Sequence, residues 1–310
     1  MAYHIPALLE VCMTGLNIDP EGTYVDVTFG GGGHSKAIFD QLTTGKLLVF
    51  DQDADAKANA KPLMEDKRDR SFTFIESNFR HLKKYLRFHG VAQVDGILAD
   101  LGVSFHQFDQ SDRGFSTRFE SALDMRMDQR QRKTAIQVIN ESSEAELIHL
   151  LSAYGEIKNA RTLASRMVQA RAESKLERTE QLKEAALQVA PKGKEVKYLA
   201  QLYQAIRIEV NDEMGAVKEL LEQSAEVLKP KGRLVVISYH SLEDRLVKNF
   251  INTGNFKGKQ EKDFFGNLLR PLDPINRKPM VPTQDEINVN SRSRSAKLRI
   301  AEKTHGNEHL

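Results

Sequence analysis

Residues Tyr24-Val25-Asp26-Val27-Thr28-Phe29-Gly30-Gly31-Gly32-Gly33-His34-Ser35 constrain this chain more than any other stretch. A short β-branched and aromatic run ends in an acid, four glycines follow, and a polar residue then opens a helix. Adjacent glycines cost backbone entropy, so they mark places where a bulkier chain cannot turn or a ligand lies against bare backbone. Strand, glycine loop and helix N-terminus together form the first unit of a nucleotide-cofactor fold.

A second strand, Lys46-Leu47-Leu48-Val49-Phe50-Asp51, ends in an acid roughly twenty residues beyond the glycines, where a carboxylate meets a ribose hydroxyl pair. That spacing serves NAD and S-adenosylmethionine enzymes alike. The loop decides between them. No third glycine of a G-x-G-x-x-G fingerprint is present, and Asp26 lies in the acid-x-x-x-G-x-G layout of a methyltransferase first motif, with Gly30 and Gly32 as its glycines. S-adenosyl-L-methionine is the expected cofactor.

Short strands continue to alternate with helices: Phe72-Thr73-Phe74-Ile75, a helix from His81 to Phe88, then Val94 to Asp100, again ending in an acid. The next strand is Arg233 to Ser238, and Ala296 to Ala301 suits an edge strand. Between them the texture changes. Thr134-Ala135-Ile136-Gln137 and Ser143-Glu144-Ala145-Glu146 read as capping boxes, and three apolar stripes at helical spacing follow. The expected fold is α/β, a Rossmann-like class I methyltransferase sheet built from 1–104 and 200–310, with an all-helical domain inserted at 105–199.

Composition narrows the partners. Forty-five basic residues nearly cancel 43 acidic ones, so a nucleic-acid surface must be a local patch. One patch is the loop carrying Arg113, Arg118, Arg126 and Arg130; another, near the C-terminus, carries Arg292, Arg294, Lys297 and Arg299. Arg161, Arg166 and Arg171 on an inserted helix read as a solvated face. The single cysteine, Cys12, excludes an internal disulfide and a cysteine-based zinc site, and no metal is expected. No segment approaches the ~18 apolar residues that span a bilayer, and nothing at the N-terminus marks export, so the cytoplasm is the expected compartment.

Ligands sit at the carboxyl ends of parallel strands. There, Asp100 is placed to orient an attacking amine, since a carboxylate only accepts hydrogen bonds. After the fifth strand, Ser241 reads as a helix cap and His240 as a hinge or a wall of the site. Methylation of a pyrimidine ring carbon uses a cysteine nucleophile. Cys12 lies in an N-terminal helix, before strand one and away from strand four, so an exocyclic nitrogen or a hydroxyl is the expected acceptor.

These residues resemble the bacterial small-subunit ribosomal RNA cytosine-N4 methyltransferase family known as RsmH or MraW. The matching segments are His4 to Leu9, Asp26 to Ser35, Asp95 to Ser104, Asp112 to Ser116, Leu123 to Asp128, Gln204 to Asn211, Ser238 to Arg245 and Ser291 to Ser295. The resemblance implies cofactor contacts at Gly32, Gly33, His34, Asp51, Phe79, Asp100 and Gln107. It also implies that the substrate is a cytidine of the decoding centre of small-subunit ribosomal RNA, methylated on N4; the sequence leaves open whether free RNA or the assembled ribosomal subunit is met. Ser104-Phe105-His106-Gln107 replaces the usual Ser-Ser-Pro-Gln, and Asn290-Ser291-Arg292 the usual Asn-Pro-Arg. On these grounds Asp100 and His240 are the catalytic candidates, and Arg113, Arg126, Arg292 and Arg294 the RNA-binding ones. A homodimer is compatible with the sequence. The competing readings are a DNA or small-molecule amino-methyltransferase, against which Asp100-Leu101-Gly102-Val103 replaces an acid/Asn-Pro-Pro-aromatic tetrapeptide, and a non-catalytic cofactor-binding scaffold.

Overall fold

The computed structural model describes residues 6–66, 68–103, 108, 110 and 112–304. They divide into two compact units, Met1–Gly102 with Met214–Leu310, and Val103–Glu213.

The first unit holds every named strand: β1 (Thr23–Asp26), β2 (Lys46–Asp51), β3 (Ser71–Glu76), β4 (Val94–Asp100), β5 (Leu228–Ser238), β6 (Leu272–Pro274) and β7 (Lys297–Lys303). They form one sheet in the order β3-β2-β1-β4-β5-β7-β6. β1 to β5 are parallel, and β7 runs antiparallel between β5 and β6. Strand order reverses beside β1, whose neighbours are β2 and β4. A cleft opens at such a switch point, outside the carboxyl ends of the strands. Asp26, Asp51 and Asp100 are the last residues of β1, β2 and β4. The C-terminal strand expected at the edge lies inside the sheet. The edge is β6, whose three residues and Pro274 are poor at recruiting a further strand.

Alternation along the strands builds two cores. Val25, Leu48, Phe50, Ile97, Ala99, Leu234 and Val236 face one way, and Tyr24, Leu47, Val49, Leu98, Val235 and Ile237 the other. Helices cover both faces, as a parallel sheet requires. α1 (Leu9–Leu16), α2 (Gly33–Gln41) and α3 (Lys57–Met64) lie over the second face. α4 (Leu82–Phe88) covers the first, together with helices from beyond the insertion.

The second unit contains α5 (Ala135–Glu141), α6 (Glu144–Ala153), α7 (Ala160–Glu173), α8 (Thr179–Leu187) and α9 (Glu195–Asn211). Both capping boxes form, Thr134 with Gln137 and Ser143 with Glu146. Leu123, Ile139, Leu147, Leu151, Leu163, Met167, Leu182 and Leu202 make its separate core. The helical unit extends to 213, beyond the boundary expected at 199, which falls inside α9. Leu202, Tyr203 and Ile206 belong to the helical core, so α9 cannot be shared with the sheet. After it come α10 (Glu213–Val227), α11 (Ser241–Thr253) and α12 (Gln284–Val289). No helix among the described residues is long and apolar enough to cross a membrane.

Candidate active site at the carboxyl ends of β1, β2 and β4

The glycine loop is built from its neighbours. Gly30 and Gly32 adopt φ of 51° and 77°, a region that disfavours side chains, and a Cβ on Gly32 would lie 2.8 Å from the Phe29 ring. Gly33 opens α2 with Pro6 pressed against it. Gly31 differs: a Cβ there meets nothing within 4 Å among the described residues and its φ is unexceptional, which leaves bare backbone for a ligand to lie against.

Asp51 closes the loop from β2. Its Oδ2 accepts the Gly30 N–H at 2.7 Å and its Oδ1 the Asp53 N–H at 2.8 Å. Burial pushes the carboxyl up to about 6, against the pull of these two donors. Each oxygen keeps a second lone pair, enough to accept a pair of ribose hydroxyls. Phe79, half-buried in the turn after β3, follows Asn78, whose side-chain amide donates to Gln52 Oε1 at 2.7 Å. That bond ties the ends of β2 and β3 together.

Asp26 is 1% exposed and does not face a ligand. It accepts from Ser35 Oγ at 2.5 Å and from the Thr28 N–H at 3.0 Å, which pins the start of α2 to the end of β1. Thr28 Oγ1 in turn accepts the Asp100 N–H at 2.6 Å. The acid of the first motif therefore acts through the loop, and hydroxyls that sequence reasoning passed over carry its effect to β4.

Asp100 sits in a ring of partners. Tyr239, immediately after β5, donates its hydroxyl to Oδ1 at 2.9 Å. His34 Nδ1 lies 3.7 Å from Oδ2. His34 Nε2 is 3.0 Å from the Ala7 carbonyl, which only accepts, so Nε2 carries hydrogen and Nδ1 is the atom turned to the carboxylate. Burial pushes Asp100 up to about 6, with the His34 ring and the Tyr239 hydroxyl pulling it down. The Tyr239 phenol is raised in turn, first by burial and then by Asp100, so it stays a donor. The Asp100 side chain is nonetheless 23% exposed. Its carboxylate is held by protein on one side and open on the other.

Cys12 corrects the sequence reading. Its helix packs on β4 and β5, and Asp100 is close enough to raise the thiol further after burial has raised it most. The thiol is near strand four after all, yet it is fully buried and held neutral, which removes it as a nucleophile. Cys12→Ala is expected to retain full turnover per folded molecule, measured as kcat after titration of binding-competent sites. Loss of turnover with normal cofactor binding would return the chemistry to a ring carbon.

Ser241 is not the cap of α11. His240 is: its Nδ1 accepts the Glu243 N–H at 3.4 Å, and its Nε2 lies 3.1 Å from Glu243 Oε1. Glu243 is 1% exposed and also accepts the Tyr239 N–H at 3.0 Å. His240 thus holds the turn that presents Tyr239. Gln107 lies outside the described residues, as do Ser104 to His106.

The arginines divide. Arg113 is 4% exposed and donates to the carbonyls of Arg126 and Met127 at 2.9 and 3.3 Å. Arg126 forms a two-pronged pair with Asp124 at 2.7 and 2.8 Å and donates to the Gln129 and Gln131 carbonyls. Burial and two carbonyl partners turn the Arg113 guanidinium inward, against the RNA contact expected there, whereas the Arg126 guanidinium is engaged by Asp124 and two carbonyls but remains partly exposed. The same loop is tied to α9 by Asn211, which accepts the Met127 N–H and donates to the Met125 carbonyl, both at 2.8 Å. On α7, Arg171 is half-buried and donates to the Ile139 carbonyl at 2.6 Å, so that helix face is not simply solvated. Arg294 is exposed and Arg292 half-buried in a turn before β7. Arg113→Ala is expected to cost about 1–3 kcal/mol of stability by leaving buried carbonyls unpaired. Denaturant titration measures it; an unchanged midpoint would mean the loop does not need the guanidinium.

Comparison with known proteins decides the affiliation. The model of the MraW methylase family matches residues 1–304. The chain belongs to the MraW methylase family. It is 56% identical over 304 residues to the Ribosomal RNA small subunit methyltransferase H of Flavobacterium johnsoniae, covering 98% of each chain. It is 54% identical over 302 residues to the protein of that name from Amoebophilus asiaticus, covering 97% of this chain and 96% of the relative. MraW methylases are methyltransferases, and S-adenosylmethionine is the cofactor that the glycine loop and Asp51 suit.

Proposed function

We propose that this methyltransferase transfers a methyl group from S-adenosylmethionine to the exocyclic N4 amine of a cytidine in the decoding centre of small-subunit ribosomal RNA. The observation that carries the reading is Asp100: a carboxylate at the end of β4, fixed by Tyr239 and His34 and open on its remaining side. The relatives' names supply the substrate class, and the resemblance in the motifs supplies N4.

Bound S-adenosylmethionine supplies an electrophilic methyl on a sulfonium. Asp51 would accept the ribose hydroxyls, Gly30 to Gly33 and His34 would line the cofactor's path, Phe79 would offer a ring face to the base, and Gln107 completes the expected set. Asp100 accepts an N–H of the incoming amine and so turns the nitrogen lone pair away from itself, which is an orientation effect. Tyr239 cannot give up its proton, so it fixes the carboxylate without competing as a base. The positive charge that develops on the amine is stabilised by the adjacent ionised Asp100, and the proton leaves to it or to water. His240 acts by holding Tyr239.

The inserted helical unit is proposed to recognise RNA, with Arg294 and Arg292 on the first unit as further phosphate contacts. The substrate is proposed to be RNA within the ribosomal subunit, in the cytoplasm. The test is transfer from labelled cofactor to small subunits, free ribosomal RNA and DNA, followed by nucleoside mapping. Label in N4-methylcytidine of small-subunit RNA is expected. Label in DNA, or on a ring carbon, would overturn the reading.

A further inference from the structure

After α11 the chain makes an excursion over 255–271 before entering β6, and its base is firmly fixed. Gly254 caps α11 at φ 71°, and a Cβ there would lie 2.7 Å from the Leu269 carbonyl. The Phe256 ring stacks on Phe250 at 5.2 Å, and Arg270 pairs with Asp273 at 2.7 Å. Lys262 and Leu268 bridge the two limbs. The tip is equally ordered: Asp263 Oδ1 accepts the N–H groups of Phe265 and Asn267, each at 2.9 Å, and Gly266 turns at φ 87°.

This rigid tip carries Phe264 at 98% and Phe265 at 86% exposure, the two most exposed large apolar side chains among the described residues. Their rings meet edge to face at 5.6 Å. Exposed Lys257, Lys259 and Lys262 flank them in the sequence with Glu261 and Asp263, so bases outnumber acids by one along this stretch. Aromatic faces on a preorganised turn beside lysines match the chemistry that binds unpaired bases and their phosphates.

We propose that this hairpin is a remote docking element for an extended RNA, with unpaired bases stacking on Phe264 and Phe265 and phosphates on the three lysines. The inference rests on RNA being the substrate. The hairpin stands away from the catalytic edge. α11 starts there at Ser241, and its 13 residues carry the chain about 20 Å down the sheet. β6 begins opposite Lys303, at the end of the sheet where β5 enters. Only a substrate that spans this distance can use both places, so the hairpin serves affinity for a large RNA and not the transfer step.

The experiment compares the full chain with a Phe264→Ala/Phe265→Ala variant and a Lys257→Ala/Lys259→Ala/Lys262→Ala variant. The probes are small ribosomal subunits, transcribed small-subunit RNA, and a short oligonucleotide carrying the target cytidine. The aromatic variant is expected to raise KM for the large substrates on the order of ten-fold while kcat, cofactor affinity and use of the short oligonucleotide stay unchanged. The lysine variant is expected to flatten the log–log salt dependence of RNA affinity by roughly 0.7 for each phosphate that a lysine had neutralised. Wild-type binding to large RNA that both variants match would overturn the inference and leave the proposed function standing. So would a change confined to self-association in sedimentation, or to flotation with phosphatidylserine vesicles. If the wild type binds no small-subunit RNA at all, both readings fall together.

Discussion

Asp100→Asn is expected to slow methyl transfer by about 10²-fold or more while the chain folds and binds its cofactor within a few-fold of normal. The fold survives because the amide suits the ring around it. Its oxygen accepts from the Tyr239 hydroxyl, and its NH2 takes the place of the carboxylate oxygen beside His34. What changes is the open side, where a donor can replace an acceptor and misdirect the target amine. The pH dependence separates this from a structural role. Burial places the Asp100 carboxyl at about 6 and kcat/KM reports the groups of the free enzyme, so wild-type kcat/KM should rise with pH through about 6 and level off, and the variant should lose that limb. Stability carries the matching sign. The folded pKa is above the ordinary carboxylate value, so the contribution is fully present below that value and is lost as pH rises through about 6. The variant should therefore be the more stable protein, relative to wild type, at neutral pH. Near-normal turnover in Asp100→Asn would reduce Asp100 to a strand-end anchor.

The elements that position this site were legible because short-range rules govern them. Strands ending in Asp26, Asp51 and Asp100 read correctly from period and composition, and both capping boxes formed, since each is a contact within four residues. Long-range pairing was hidden. Nothing in Ala296 to Ala301 says that a three-residue strand from Leu272 will cover its outer side. The end of the inserted unit was placed at 199 and not at 213 because a helix stripe looks the same whichever core receives it. Charge was the least legible property. Arg113, Arg126 and Arg294 are equivalent as letters, yet the first is buried on carbonyls of its own loop, the second is held by Asp124 and two carbonyls, and the third stands in solvent. Cys12 shows the same limit from the other side, being distant along the chain and adjacent to β5 in space. Tyr239 could have been found: an aromatic hydroxyl immediately after a buried parallel strand stands at the edge where ligands bind.

Asp51→Ala is expected to weaken S-adenosylmethionine binding by about 10²-fold or more, with transfer at saturating cofactor much less affected. A hydrogen bond to a charged group contributes about 1.5–3 kcal/mol, and the carboxylate offers a free lone pair on each oxygen to two hydroxyls. The substitution also releases the Gly30 and Asp53 N–H groups, so looseness of the glycine loop could imitate the absence of ligand contacts. Titration distinguishes them. Burial holds the Asp51 carboxyl near 6, and its protonated form offers one O–H donor in place of an acceptor. Wild-type affinity should therefore fall as pH drops through about 6, whereas Asp51→Ala should be weak and should lose the part of that pH dependence which Asp51 supplies, leaving only the part due to Asp100. Calorimetry between pH 5 and 7 reads both quantities. Unchanged affinity in the variant, or a wild-type affinity flat across the range, would remove Asp51 from the ribose site.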